Sequence, residues 1–200
     1  MQLKADGITF AYSDGSRVLD NVSFEISSGE VVGVVAPSGF GKSTLAKALA
    51  GYIRPQSGTV TLDGRPISDE AYNPVQLVFQ HPEKAVNPKW KMRKILCEAW
   101  TPPQEMVEAM GIKSSWMNRW PSELSGGELQ RFCVLRALSP KTQFLIADEM
   151  TTMLDVITQA QIWNEVLRYT KGKNIGVVVI SHEKELVERL CNRVVRLDLP

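Results

Sequence analysis

Apolar and polar residues alternate along the early part of the chain, and later the alternation gives way to uninterrupted apolar runs. Ile8-Thr9-Phe10-Ala11-Tyr12 and Val22-Ser23-Phe24-Glu25-Ile26 set apolar against polar or small residues at every second position, the period of a strand with one buried face. Val60-Thr61-Leu62 runs into Asp63-Gly64 and then Arg65-Pro66-Ile67, a turn dipeptide between two short extended pieces. Together these predict a small antiparallel sheet in the N-terminal half. Val31 to Val35, Phe144 to Ala147 and Val177 to Ile180 lack alternation, as strands covered on both faces do. Each is followed by polar or acidic residues and a helical pattern; in the last, Leu186, Val187, Leu190 and Cys191 share one face. Repeated strand-then-helix units predict a parallel sheet whose C-terminal strand ends carry the site.

Residues from about 81 to 124 differ in character. They hold Pro82, Pro88, Pro102, Pro103 and Pro121 together with four of the five tryptophans, and no strand pattern. Short helices broken by prolines are expected there. Two hundred residues suit a single domain, with residues 1–80 and 125–200 as its core and the helical stretch as an inserted subdomain.

Composition narrows the classes. Lys plus Arg (23) almost balances Asp plus Glu (22), for a net charge of +1, so nothing global draws the chain to nucleic acid or an anionic membrane. Local basic patches stay open. Cys97, Cys133 and Cys191 lack CxxC spacing, which disfavours a disulfide framework or zinc site and suits reduced, small buried residues in a cytosolic setting. No apolar run approaches the ~20 residues of a membrane span, and the N-terminus has no secretory apolar segment. If the protein works at a membrane, other polypeptides must hold it there.

The chemistry begins after the first buried strand. Ala36-Pro37-Ser38-Gly39-Phe40-Gly41-Lys42-Ser43-Thr44 leads into a helix, the context of a phosphate-binding loop. Gly39 and Gly41 allow the backbone angles that aim N–H groups inward, and the helix N-terminus adds its dipole. In such a loop Lys42 reaches the β- and γ-phosphates, Ser43 ligates Mg²⁺, and Thr44 holds the α-phosphate end. Ala36 replaces the usual first glycine, which costs of order 1 kcal/mol only if its φ is positive. Phe144 to Ala147 ends in Asp148-Glu149: the first carboxylate suits Mg²⁺ and the second a general base that polarises water.

About twenty residues upstream of that pair lies Leu124-Ser125-Gly126-Gly127-Glu128. A serine hydroxyl and two permissive backbone N–H groups opening a helix form a compact anion site, with Leu129, Phe132, Cys133 and Ala137 giving the helix an apolar face. The run LSGGELQR from Leu124 to Arg131 closely resembles the signature of the ABC (ATP-binding cassette) ATPases. That resemblance, which extends from about residue 2 to 197, implies an α/β P-loop NTPase core with a mainly parallel sheet, an N-terminal antiparallel β subdomain and an inserted helical subdomain.

It also implies an activity: ATP hydrolysis with Mg²⁺, coupled to transport, by two cassettes that sandwich ATP between the phosphate loop of one and Ser125, Gly126 and Gly127 of the other. Gln80, after Val75 to Phe79, then resembles the family's glutamine that touches Mg²⁺ or the lytic water and hinges the helical subdomain. His182, after the strand 177–180, resembles the histidine that bonds the γ-phosphate. Asp155 in Thr152-Met153-Leu154-Asp155 resembles the residue that crosses the cassette interface. Tyr12 either stacks on adenine, as its place in the family implies, or packs across the sheet.

Asn87-Pro88 and the run Ile146 to Ile162 are similar to the ATPases of nickel, oligopeptide and opine-metallophore importers. Such subunits usually continue with a tail that often carries cysteines, whereas this sequence stops at Pro200, so the expectation is a compact importer subunit. The implied partners are a second ATPase subunit, identical or paralogous, permease subunits at the cytoplasmic face of the plasma membrane, and indirectly a solute-binding protein. Trp90 and Trp100, with Met92 and Ile95 between them, either line the permease groove or form subdomain core. A repair ATPase would need a long coiled-coil insertion between residues 80 and 124, and a translation ATPase two cassettes. A phosphate-loop kinase has no use for LSGGE. A nonhydrolysing half of a heterodimer is disfavoured by Lys42, Asp148, Glu149 and His182.

Overall fold

A computed structural model describes residues 1–37, 39–67 and 72–197. Two sheets organise it. The first is antiparallel, in the order β2-β1-β4-β5, formed by β1 (Gln2–Ala11), β2 (Arg17–Ser27), β4 (Ser57–Leu62) and β5 (Arg65–Pro66). Asp63 and Gly64 both have positive φ, 49° and 75°, the geometry of the tight hairpin that the Asp-Gly pair predicts. The second sheet is parallel, in the order β6-β7-β8-β3-β9. Its strands are β3 (Val31–Val35), β6 (Val75–Val78), β7 (Phe144–Asp148), β8 (Gly176–Ile180) and β9 (Arg193–Arg196).

The uninterrupted apolar runs follow from what covers this sheet. Along β7, Phe144 and Ile146 pack into a core shared with the antiparallel sheet and helix α1 (Lys42–Leu49). Leu145 and Ala147 pack into a second core under α4 (Gly126–Ala137), α5 (Val156–Lys173) and α6 (Lys184–Leu190). Successive side chains point to opposite faces and both faces are dry, so every position is apolar. On the β3 strand Gly33 lies against α6: a Cβ there would sit 2.3 Å from Val187 Cγ1 and 3.2 Å from Cys191 Sγ. The absent side chain lets α6 lie close to the strand that feeds the phosphate loop.

Between β6 and α4 the chain forms single turns: 3₁₀ pieces at Pro82–Ala85, Ser114–Trp116 and Pro121–Glu123, with α2 (Met92–Leu96) and α3 (Gln104–Ala109) between them. The prolines sit at first-turn or N-cap positions (Pro82, Pro103, Pro121), where a missing N–H costs nothing. Met92 and Ile95 are fully buried, so they form core and not the lining of an open groove. Trp100 is anchored through its indole N–H to the Arg136 carbonyl at 3.0 Å.

Two expectations need correction. Helix α4 is buried nearly all round, not along one face: Gln130 and Arg131 are as enclosed as Leu129 and Phe132, because the turns of the insert cover one side and α5 the other. Of the three cysteines only Cys133 is buried, while Cys97 is exposed and Cys191 partly covered. Cys97 lies just past the end of the one-turn α2, on the side away from Ile95 and Leu96.

Candidate functional site

The site gathers at the C-terminal ends of β3, β6, β7 and β8. Gly39 and Gly41 adopt φ of 84° and 77°, and a Cβ on Gly41 would lie 2.6 Å from the Val18 carbonyl; only glycine fits that corner. Ala36 is not among the residues with positive φ, so alanine there carries no left-handed strain. Ser38, assigned to the same loop from sequence, lies outside the described residues. Lys42, 8% exposed, folds back on the loop, its Nζ donating to the carbonyls of Ala36 at 2.8 Å and Pro37 at 3.0 Å. The ammonium thus holds the place that phosphate oxygens would compete for.

One residue on, Ser43 Oγ donates to Asp148 Oδ1 at 3.1 Å. Burial pushes the Asp148 carboxyl up and neighbouring Glu149 adds to this, while the Ser43 bond pulls it down. A hydroxyl and a carboxylate this close form a pair of hard oxygen donors, the chemistry that suits Mg²⁺, and a cation would offset the cost of burying Asp148. Among the described residues there is no cluster of three or more His, Cys, Asp or Glu side chains arranged to hold a metal.

Glu149 sits in the left-handed region at φ 48°, an uncommon state for a non-glycine residue. It is fixed by its N–H to the Ile180 carbonyl at 2.9 Å and by Thr152 Oγ1 donating to its own carbonyl at 3.0 Å. This turns the carboxylate toward two partners. Gln80 Nε2 donates to Oε2 at 3.0 Å, and His182 Nδ1 lies 3.5 Å from Oε1. Two residues from two other strand ends meet on this one carboxylate. Tyr12 lies just past the end of β1, its hydroxyl 3.2 Å from Thr44 Oγ1 and its ring edge-on to Phe10 at 5.1 Å; it borders the phosphate loop instead of packing across the sheet.

Ser125 caps α4 in a reciprocal box: its Oγ accepts from the Glu128 N–H at 3.3 Å, and its N–H donates to Glu128 Oε2 at 2.8 Å. Gly126 and Gly127 form the next two positions. Among the described residues no hydrogen bond links 125–127 to residues 36–44. Asp155 caps α5, accepting from Thr158 N–H at 3.0 Å and Ile157 N–H at 3.1 Å, and these bonds hold its carboxyl below the usual range.

Three residues lie within motifs named from sequence, but their contacts were not foreseen. Thr152 shapes the Glu149 turn, Leu154 lies against Gly127 with its Cδ2 3.0 Å from where a Cβ would be, and Gln130 Nε2 donates to the Phe79 carbonyl at 3.1 Å. Their sequence signal was membership of Thr152-Met153-Leu154-Asp155 or of the run Leu124 to Arg131, which does not reveal these partners.

Fold and site together define a P-loop NTPase of the α/β class. Residues 19–152 match the family described as ABC transporter. The nickel import ATP-binding protein NikE of Escherichia coli (strain K12) is 33% identical, covering 98% of this chain and 83% of that one. The nickel import system ATP-binding protein NikE of Staphylococcus aureus (strain bovine RF122 / ET3-1) is 35% identical, covering 95% and 84%. A dimeric ATP-binding cassette in a post-hydrolysis state bound to ADP and Pi superposes with a TM-score of 0.84 at 24% identity, over 98% of this chain and 94% of that one. The chain belongs to the ABC transporter family and is an ATPase of that family.

Proposed function

We propose that this chain is the ATP-hydrolysing subunit of an ABC importer, powering uptake of a small solute such as nickel, a metal chelate or a peptide. The observation that carries the reading is the convergence of Gln80 and His182 on Glu149, beside the Ser43–Asp148 pair.

On binding ATP, Lys42 exchanges the Ala36 and Pro37 carbonyls for β- and γ-phosphate oxygens. Thr44 holds the α-phosphate end, and Tyr12 lies where adenine would stack. Ser43 and Asp148, with Gln80, would hold Mg²⁺, which supplies charge neutralisation of the phosphates. Glu149 accepts a proton from water as the water oxygen bonds to the γ-phosphorus and the bond to the ADP oxygen breaks. His182 hydrogen-bonds the γ-phosphate and steadies the carboxylate.

The second half of the site comes from another cassette. Ser125, Gly126 and Gly127 present an anion site that no phosphate-loop residue of the same chain occupies. Next to Asp155, Met153, Val156 and Ile157 are 66%, 77% and 73% exposed. Adjacent apolar side chains left in water mark an association surface. A face-to-face dimer, of identical or paralogous subunits, covers them and closes both sites around ATP.

No described helix is long and apolar enough to cross a membrane, and in this reading the subunit is held at the cytoplasmic face by permease subunits, with a solute-binding protein acting indirectly on the far side. The permease seat is an open cavity of about 260 Å³ lined by Tyr52, Phe79, Lys84 and Arg136, where Tyr52 is 61% exposed and rests edge-on against Phe79. It adjoins Gln80, so a permease movement there reaches Glu149 directly.

Glu149→Gln tests the reading. It should keep ATP binding, lose nearly all turnover and accumulate an ATP-bound dimer; a Glu149→Gln protein that still hydrolyses ATP would remove the general-base role.

A further inference from the structure

Residues 84–94 hold five cationic side chains, Lys84, Lys89, Lys91, Arg93 and Lys94, and no acidic one. The chain as a whole is almost neutral, so the rest of it is net acidic and the positive charge is concentrated here. All five are exposed. None takes part in an ion pair among the described residues.

The fold keeps Lys91, Arg93 and Lys94 on one surface. Met92, Ile95 and Leu96 turn inward from α2, which leaves Lys91, Arg93 and Lys94 outside. The Met92 N–H donates to the Arg119 carbonyl at 3.0 Å and the Arg93 N–H to the Met117 carbonyl at 2.8 Å, stitching Arg119 and Trp120 alongside. Lys94 Nζ lies 3.9 Å from the Trp90 ring centroid and Lys91 Nζ 5.7 Å from that of Trp120. Trp120 is 41% exposed.

We propose that this surface, residues 89–94 with Arg119 and Trp120, is a contact for anionic phospholipid headgroups. Clustered Lys and Arg beside exposed tryptophan is the chemistry of the membrane interface, where each cation near an anionic bilayer strengthens binding about fivefold at low salt. Single-stranded nucleic acid would also attract the charge, but it needs open aromatic faces on which bases stack. Here Lys94 and Lys91 already lie over the rings. Position agrees as well: Lys84 opens the basic run and also lines the cavity assigned above to the permease, so a cassette seated there brings the patch toward the bilayer. The proposal rests on that seating only for its place in the cell; the contact itself needs no permease.

The test uses the purified full chain and co-sedimentation with phosphatidylcholine vesicles, with and without phosphatidylglycerol. Binding should require phosphatidylglycerol and fade as salt is raised. Joint replacement Lys89→Glu, Lys91→Glu and Lys94→Glu should weaken it at least tenfold while leaving basal ATPase and the melting temperature unchanged, and Trp120→Ala should weaken it less. Absence of phosphatidylglycerol-dependent binding, or equal binding by wild type and triple variant, overturns the proposal. So does binding that appears only with permease in neutral vesicles, or displacement of the vesicles by single-stranded RNA. Any of these leaves the importer reading standing if ATP turnover persists; loss of turnover in the wild type would instead overturn that reading.

Discussion

The side-chain amide of Gln130 donates to the backbone carbonyl of Phe79 across 3.1 Å, tying the second turn of α4 to the end of β6. Phe79 immediately precedes Gln80, whose own amide holds Glu149. The helix capped by Ser125 and the residue that bonds Glu149 therefore share one fixed point. The contact is one-sided: Gln130 is 2% exposed and its Oε1 has no partner among the described residues. A buried amide oxygen left unpaired costs stability, so the bond is retained at some expense to the fold.

Gln130→Leu removes the bond and the stranded oxygen together. Stability should change by about 1 kcal/mol or less, while kcat falls severalfold and the KM for ATP stays close to wild type. Urea unfolding and steady-state ATPase measurements on the same preparation check both halves. An unchanged kcat would show that the Phe79 anchor does not position Gln80.

Gly127→Ala separates helix stability from function. Alanine in a helix is favoured over glycine by about 1 kcal/mol, but the new methyl would lie 3.0 Å from Leu154 Cδ2 and push the segment leading to Asp155. Thermal stability should hold or rise while ATPase activity falls, and Leu154→Ala should restore part of that activity in the double variant. A double variant no better than Gly127→Ala would mean that this contact does not transmit the defect.

Gly33→Ala should be costly in the opposite way. Its methyl would overlap Val187 Cγ1 at 2.3 Å in the middle of a packed sheet, and overpacking of this kind costs about 1–3 kcal/mol. Val187→Ala in the same chain should recover part of the loss. Chemical denaturation of the single and double variants gives the comparison; additive losses would show that the clash is absorbed elsewhere.

What was legible in sequence is what depends on near neighbours. Uninterrupted runs such as Phe144 to Ala147 announced strands covered on both faces, and Gly39, Gly41 and Lys42 announced a loop whose geometry is set within nine residues. β9 was not foreseen, because Arg193 and Arg196 bracket only two valines and an edge strand paired solely with β3 tolerates exposed charge. The polar residues Gln130 and Arg131 read as a solvent face; only their distant partners, Phe79 for the one and Met110 and Gln161 for the other, explain their burial. Ser125 to Gly127 was visible as a motif, and its reciprocal cap with Glu128 lies within four residues.

The thiols offer a check on packing. Burial pushes the Cys133 thiol up to about 11 and the Cys191 thiol up to about 12, so at neutral pH their thiolate fractions are on the order of 10⁻⁴ or below. A thiol reagent should therefore modify Cys97 quickly, the partly covered Cys191 slowly and Cys133 only on unfolding. Because both folded values lie above the unfolded one, their contribution to stability is complete below about pH 9 and declines as pH rises through 11 to 12. Three fast equivalents in the native protein would contradict the packing of α4 and α6.

The dependence of ATPase rate on protein concentration tests the central claim most directly, since two separate anion sites must meet across one triphosphate. Turnover per subunit should rise with concentration, with the natural partner cassette supplied where the pair is paralogous, and Gly127→Asp should abolish it without loss of ATP binding. A rate per subunit that is already full in dilute monomer, and unaffected by Gly127→Asp, would contradict the account.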